Sequence, residues 1–385
     1  MTNLYYPLHS LKEGHWFKLI CGASLSYLPA VRNLTLAYTL AGADCIDVAA
    51  DPAVIAAATE GIKVAGYLAD AAKERGFGGN NSPWLMVSLN DGEDPHFRKA
   101  EFNPANCPAD CTRPCEKICP ANAIAFQNTG ASISGVIDER CYGCGRCLPV
   151  CPIQQIVTRS YIYTPSALAP LIIQTGIDAI EIHTSVGHLA DFKRLWQAIS
   201  PWVDRLKLIA VSCGDGEGLI DYLWALYEVM QPLPCNLVWQ TDGRPMSGDI
   251  GGGTTRAAVK LGEKVLAAKL PGFIQLAGGT NARTVNKLKE SGLLNTNLTS
   301  ATNAKPFVAG VAYGSYARVL LSPILEKLEK IAIDEADNDA SHIYNQQLNS
   351  RLEETPQLLW EAVAIAHSLV SQLKSSVKGT ITHRG

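Results

Sequence analysis

No stretch of 18 or more uninterrupted apolar residues occurs in this chain of 385 residues, which excludes a transmembrane helix of ordinary length. Met1 to Gly14 lacks the basic and apolar regions of a secretory signal. The protein is therefore expected to be cytoplasmic, where thiols are kept reduced. Charge is scarce: 18% of residues are charged against 47% hydrophobic, which excludes a disordered chain and leaves ample material for a core. A net charge of −3 and the lack of a long basic run argue against a protein built around nucleic-acid phosphates. No Ser–His–Asp order, paired-carboxylate motif or nucleotide-binding fingerprint stands out.

What the chain has in plenty is cysteine, in one place. Eight of its twelve cysteines fall between Cys107 and Cys151. The second half of this block reads Cys141-x2-Cys144-x2-Cys147-x3-Cys151-Pro152, the bacterial ferredoxin spacing, in which the fourth cysteine serves the other cluster of a pair. The first half is Cys107-x3-Cys111-x3-Cys115-x3-Cys119-Pro120. Both continue in parallel, as Cys119-Pro-Ala-Asn-Ala-Ile124 and Cys151-Pro-Ile-Gln-Gln-Ile156, so an internal two-fold repeat is the simplest reading. Three thiolates on a short loop containing Gly143 and Gly145 face three corners of an iron–sulfur cube, and the fourth ligand must arrive from elsewhere. One cluster is thus expected on Cys141, Cys144, Cys147 and Cys119, the other on Cys107, Cys111, Cys115 and Cys151. Both are expected to be [4Fe-4S], with a [3Fe-4S] form the alternative on the second set, where the spacing is unusual. Zinc is the competing reading, but structural zinc sites usually combine two separated cysteine pairs. The segments Ala123–Phe126 and Gly135–Asp138 suit a short hairpin joining the two halves.

Around the block, apolar runs alternate with helical patterns. Strands are expected at 17–21, 45–49, 84–88, 179–183, 206–211, 236–240, 273–276 and 307–311. Helices are expected at about 29–41, 52–75, 165–174, 189–199, 218–230, 254–268, 282–291 and 315–330. Continuous apolar strands spaced by helices indicate a parallel sheet buried on both faces. Eight such units match an α/β fold of the (β/α)8 TIM-like barrel class with an inserted two-cluster ferredoxin domain. The alternative is an open, doubly wound α/β sheet with a ferredoxin domain attached. The expected division is a discontinuous barrel over 1–102 and 158–330, an iron–sulfur insert over 103–157, and a tail over 331–385. The tail opens on an acidic break at Asp334–Asp337. After Pro356 it forms an amphipathic helix on Leu358, Leu359, Val363, Ala366, Leu369, Val370 and Leu373.

In the barrel reading the cysteine block occupies the third βα loop and caps the mouth, the face where such barrels hold their sites. Gly278-Gly279-Thr280 should open the seventh helix and Gly314-Ser315 the eighth. Together they form a candidate cofactor site for a phosphate, including that of a flavin; the alternative is a helix cap with a tight turn. The loop Gly243–Gly253, carrying Arg244, reads as a flexible connector, an anion nest or a lid. Polar or thiol groups expected near strand ends are Cys21, Asp51, Glu181, His183, Cys213, Asp215 and Asp242. Glu181 and His183 lie two apart and share a strand face. Catalytic residues stay unassigned, and Cys45 and Cys235 read as small buried hydrophobes.

Three stretches carry a resemblance: Cys107 to Cys119 in x3 steps, Cys141-Tyr-Gly-Cys-Gly-Arg-Cys147, and Phe273-Ile-Gln-Leu-Ala-Gly-Gly279. They resemble the light-dependent period (LdpA) family of cyanobacteria, across nearly the whole chain. That resemblance implies an iron–sulfur protein conveying cellular redox and light state to the circadian clock, with clock components and clock input histidine kinases as partners. The competing reading is an iron–sulfur, flavin-dependent oxidoreductase whose clusters feed a barrel active site.

Overall fold

A computed structural model describes residues 6–78, 82–92, 97–126, 135–160, 174–244, 251, 253–295, 306–338 and 350–374. The eight barrel strands are β1 (Trp16–Gly22), β2 (Cys45–Ala49), β3 (Trp84–Asn90), β8 (Ala179–Thr184), β9 (Leu208–Gly214), β10 (Asn236–Asp242), β11 (Phe273–Ala277) and β12 (Gly310–Tyr313). Four short strands belong to the insert after β3: β4 (Arg98–Glu101), β5 (Ile124–Ala125), β6 (Gly135–Val136) and β7 (Val157–Ser160). Every barrel pairing is parallel, and β1 pairs with β12 from Trp16↔Gly310 to Leu19↔Tyr313. That pairing closes the sheet and replaces the doubly wound alternative with a barrel.

The strands form where apolar and β-branched runs are buried on both faces; all seven residues of β3 are buried. Their outward faces pack beneath the helices in one continuous hydrophobic layer. Inside, the lower end is plugged by Trp16, Cys45, Trp84, Met86, Leu208 and Val238, with Trp16 and Trp84 edge to face at 5.5 Å. The N-terminal helix Tyr6–Glu13 closes this end with Leu11.

Several boundaries differ from those read in the sequence. The last strand is Gly310–Tyr313 rather than 307–311: its register with β1 runs from Trp16↔Gly310, while Val308 N bonds the Leu293 carbonyl outside the sheet at 2.9 Å. Gly310 is needed at that entry: a Cβ there would stand 2.3 Å from the Trp16 carbonyl oxygen. Strand β9 starts at Leu208, not 206. The helix expected over 52–75 is two helices, Pro52–Tyr67 and Ala69–Glu74, meeting at Leu68. The acidic Asp334–Asp337 segment is no break, since the helix Ser315–Asn338 runs through it. The expected helix at about 165–174 and most of the loop 243–253 lie outside the described residues.

The C-terminal helix Pro356–Lys374 packs its apolar face on Leu28–Ala41 and on Ser315–Asn338. Its end is clamped by Lys374, whose Nζ meets both oxygens of buried Asp44 at 2.6–2.7 Å. Among the described residues, no helix is long and apolar enough to cross a membrane.

Candidate metal centre and barrel mouth

The insert rises from the third βα loop on a stem, β4 paired antiparallel with β7. Lys99 pins the stem, donating to the Asp138 carbonyl at 2.6 Å and to Ser26 Oγ at 3.2 Å. The small hairpin β5–β6 links the halves of the cysteine block.

The eight thiols gather into two sets of four. Cys119, Cys141, Cys144 and Cys147 line one cavity of about 20 Å³; Cys107, Cys111, Cys115 and Cys151 line another of about 260 Å³. Each set therefore draws its fourth thiol from the other half of the sequence. The electrostatics divide the same way. Burial raises the Cys147 thiol to about 12, helped by Cys144, Cys141 and Cys119. Burial also raises Cys115, with Cys151 and Cys107 adding to it. Thiols that raise one another can ionise together only when a cation compensates them.

The backbone is shaped for sulfur. Ala100 N donates to Cys141 Sγ at 3.3 Å, and Ala123 N to Cys119 Sγ at 3.2 Å. Gln155 Nε2 reaches Cys107 Sγ at 2.9 Å. Cys151 keeps a thiol pKa below the ordinary value: burial opposes ionisation, but the amides of Gln155, Ile153, Ile156 and Gln154 outweigh it. The repeat is visible in the dihedrals, for Asn122 and Gln154, each three residues after a Cys-Pro cysteine, take φ of +46° and +52°. Gly143 takes φ of +69°, where a Cβ would stand 2.2 Å from the Arg98 carbonyl oxygen. An all-thiol donor set with amides aimed at sulfur fits iron–sulfur clusters. Among the described residues no three His, Cys, Asp or Glu side chains are arranged to hold a single metal ion.

The insert seats on the barrel through its first set. Tyr142, between two of those thiols, lays its ring over the Arg318 guanidinium at 4.1 Å. Arg140 meets Glu329 at 3.2 Å and the Tyr27 ring at 4.5 Å, and Asn122 donates to Glu326 at 3.1 Å.

Below Tyr142 the barrel mouth forms a cavity of about 60 Å³, and Gly278, Gly279, Thr280, Gly314 and Ser315 all line it. Only the last two open a helix directly. The seventh helix starts later, at Thr284, because Gly278 and Gly279 turn instead against Gly243 and Arg244. His183 and Asp242 also line this cavity.

The other strand-end candidates have local roles. Asp51 caps the helix Pro52–Tyr67, accepting from Ala53 N and Val54 N. Asp215 pairs with Lys264 on the surface at 2.6 Å. Burial pushes the thiols of Cys21 and Cys213 up to about 12, so both stay protonated at neutral pH.

Beneath the mouth lies a feature that the sequence reading missed. Seven of the eight barrel strands place a buried polar side chain in one connected layer: Lys18, Asp47, Ser88, Glu181, Ser212, Gln240 and Gln275. Lys18 Nζ meets Asp47 at 3.0 Å, Gln240 Oε1 at 3.0 Å, and Glu181. Gln240 donates to Glu181 at 2.7 Å and to Ser212 at 3.0 Å, and accepts from Gln275 at 2.6 Å. Burial opposes the Lys18 charge, yet Asp47 and Glu181 more than offset it and hold its pKa above the ordinary lysine value. That lysine is a locked cation, not a nucleophile. Glu181 Oε1 in turn meets His183 Nε2 at 2.9 Å, which ties the layer to the mouth. One mid-strand polar residue in strand after strand was the available signal.

Residues 107–162 match the LdpA Fe-S cluster-binding domain, and residues 171–372 match the Light dependent period A C-terminal domain. The Light dependent period A protein of Synechococcus elongatus is 49% identical over 374 residues, covering 97% of this chain and 95% of its own. Among solved structures, the chain is similar to the tryptophan synthase alpha chain of Legionella pneumophila subsp. pneumophila, with 12% identity, TM-score 0.40, and coverage of 99% of this chain and 100% of that one. It is also similar to the N-acetylneuraminate lyase of Fusobacterium nucleatum, with 11% identity, TM-score 0.31, and coverage of 85% and 79%. Two domain models and a relative at near half identity span this sequence, and the chain belongs to the Light dependent period A (LdpA) family.

Proposed function

We propose that this is a cytoplasmic two-cluster iron–sulfur protein that senses redox state and conveys it to the circadian clock. The observation carrying the proposal is the gathering of eight thiols into two sets of four, each completed by a cysteine of the opposite half. Cys119, Cys141, Cys144 and Cys147 would hold one [4Fe-4S] cluster; Cys107, Cys111, Cys115 and Cys151 would hold the other. Such clusters supply one-electron exchange at potentials set by the amides and charges around the sulfurs. The amides of Ala100 and Ala123 and the Arg318 charge act on the first set. The link to a clock rests on family membership and on the name of the Synechococcus elongatus relative, Light dependent period A. The partners that follow are clock components and clock input histidine kinases. A sensor shifts a partner only by its differential affinity for two states. Tyr142 and Arg140, which fasten the insert to the barrel, are the residues placed to report such a difference.

A second reading, an iron–sulfur oxidoreductase, is favoured by one observation: His183 and Asp242 line a cavity directly below the Tyr142 loop.

Anaerobic protein should carry about eight iron and eight sulfide. In reduced single variants followed by electron paramagnetic resonance, Cys119→Ser should remove the same signal as Cys144→Ser. Cys151→Ser should remove the one lost in Cys111→Ser. If Cys119→Ser instead removes the Cys111 signal, each half binds its own cluster and the crossed assignment fails. Stoichiometric zinc with little iron would defeat the proposal altogether.

A further inference from the structure

Among the described residues, four lysine and arginine cations are buried: Lys18, Arg32, Lys99 and Arg318. Lys18 pairs with Asp47 and Glu181, Arg32 with Glu353 and Glu60, and Lys99 with Asp138. Arg318, 6% exposed, is different. Its Nη1 donates to the carbonyls of Ile20 at 2.9 Å and Cys21 at 3.0 Å, and its Nη2 to Ser315 Oγ at 2.8 Å. All three acceptors are neutral, no carboxylate pairs with it among the described residues, and its buried Nε has no hydrogen-bond partner there. A buried guanidinium without an anion is costly unless something supplies the negative charge.

Arg318 lines the mouth cavity together with Gly278, Gly279, Gly314 and Ser315. Ser315 begins a 24-residue helix, whose first amides point toward this end of the barrel and favour an anion. Gly278 and Gly279 take φ of +62° and +91°, and a side chain at Gly279 would stand 2.9 Å from Thr254 Cβ, so this wall must be bare backbone. Asp242, at the end of β10 and paired in register with Ala277, and His183, near the end of β8, complete the lining. The cavity thus carries both signs: a cation and a helix terminus after β12, an imidazole on β8, and a carboxylate on β10 that accepts from Ser212 on β9. An anion would be drawn to the cation and helix terminus, and hydroxyl groups, which can donate to Asp242, to the carboxylate. On the scale where one water needs about 10–15 Å³, the 60 Å³ available suits a phosphate group with a few further atoms and is far too small for a flavin ring system.

We infer that the barrel mouth binds a small hydroxylated phosphomonoester, with its phosphate on Arg318, Ser315 and the Gly278–Gly279 turn, and its hydroxyls toward Asp242 and His183. The Arg318 guanidinium also lies against the Tyr142 ring at 4.1 Å, so the site and the Cys141–Cys147 loop share one cation. The inference does not depend on the clusters being sensors, because the cavity belongs to the barrel.

Inorganic phosphate and glycerol 2-phosphate, titrated calorimetrically into the cluster-loaded protein, provide the test. Both should bind saturably, glycerol 2-phosphate more tightly. Ser315→Asp puts a carboxylate where a helix N-terminus tolerates one, so folding should be preserved, while affinity for both probes should fall by about tenfold or more. Unchanged melting temperature and cluster absorbance in that variant establish that the loss is local. Absence of saturable binding, or wild-type affinity in Ser315→Asp, would overturn the site. Equal affinity for the two probes would overturn its organic half.

Discussion

Replacing Lys18 by Met is the sharpest probe of how the barrel is held together. The substitution keeps an unbranched chain of similar length and removes only the ammonium. Left behind are Asp47, 1% exposed, and Glu181, fully buried, each retaining some support: Ser88 Oγ donates to Asp47 at 2.9 and 3.0 Å, and Gln240 to Glu181 at 2.7 Å. Removing one partner of a buried ion pair costs about 3–5 kcal/mol because the remaining charge loses its compensation. At about 2 °C per kcal/mol for a large chain, the melting temperature should drop by about 6–10 °C.

The pH dependence gives the mechanism away. Without Lys18, burial is opposed only by the Ser88, Gln240 and His183 contacts, so Asp47, which burial already holds up at about 6, rises further, and Glu181 climbs from its depressed value of about 2 to above the unfolded one. The folded variant then binds more protons than the unfolded chain, and its deficit shrinks as pH falls from neutral toward about 4. Urea denaturation of the wild type and Lys18→Met at several pH values measures this directly. Adding Asp47→Asn and Glu181→Gln should recover more than half of the loss, since the uncompensated charge is gone. A deficit below about 1 kcal/mol at neutral pH, or one that does not depend on pH, would refute a charge-compensated layer.

Two further outcomes are expected. Gly143→Ala forces a left-handed residue costing about 1–2 kcal/mol and drives a Cβ against the Arg98 carbonyl, so the Cys141–Cys147 loop must leave the stem. Iron should then fall to about half of the wild-type content, with only the Cys107, Cys111, Cys115 and Cys151 signal left by electron paramagnetic resonance. Lys374→Met strips Asp44 of its cation; burial already raises the Asp44 carboxyl above its ordinary value, and Lys374 is what restrains it. The variant should lose about 2–3 kcal/mol at pH 7, measured by urea denaturation, and the loss should diminish on acidification, because a raised folded pKa makes the carboxyl most favourable when protonated.

The grouping of the cysteine block was legible because its pattern is local: Cys-x2-Cys-x2-Cys-x3-Cys-Pro puts three thiols on one loop, and the echo of Cys119-Pro-Ala-Asn in Cys151-Pro-Ile-Gln points to the thiol that each cavity draws from the other half. The barrel was legible for a related reason, since strands buried on both faces write themselves as unbroken apolar runs such as Trp84-Leu-Met-Val. The polar layer was not. Lys18 sits inside Phe17-Lys-Leu-Ile-Cys21 and Asp47 inside Cys45-Ile-Asp-Val-Ala49, and one charge in a short run reads locally as an edge or an exposed face. Only closure of β1 on β12, a contact between residues almost 300 apart in sequence, brings Lys18 to Glu181 and Gln240. The acidic Asp334–Asp337 segment misled for the opposite reason: a charge run reads locally as a break, yet Asp and Glu are compatible with helical backbone, and the helix Ser315–Asn338 continues through them.

Two polar systems are stacked along the barrel axis, and their hydrogen bonding separates structure from function. In the lower one, Gln240 uses both its amide hydrogens and takes two bonds on its oxygen, and Lys18 faces two carboxylates. A satisfied network in a low-dielectric interior specifies one arrangement and resists change, which is what a scaffold requires. The upper system is incomplete among the described residues: Arg318 has neutral acceptors alone and an idle Nε. Buried groups left unsatisfied are rare enough that each calls for a reason, and a ligand is one that the surrounding glycines and helix terminus also serve. The insert stands over this second system, its Tyr142 ring lying on the Arg318 guanidinium. The lower layer therefore fixes the strand ends, the strand ends fix the mouth, and the mouth holds the cation against which the cysteine loop is seated.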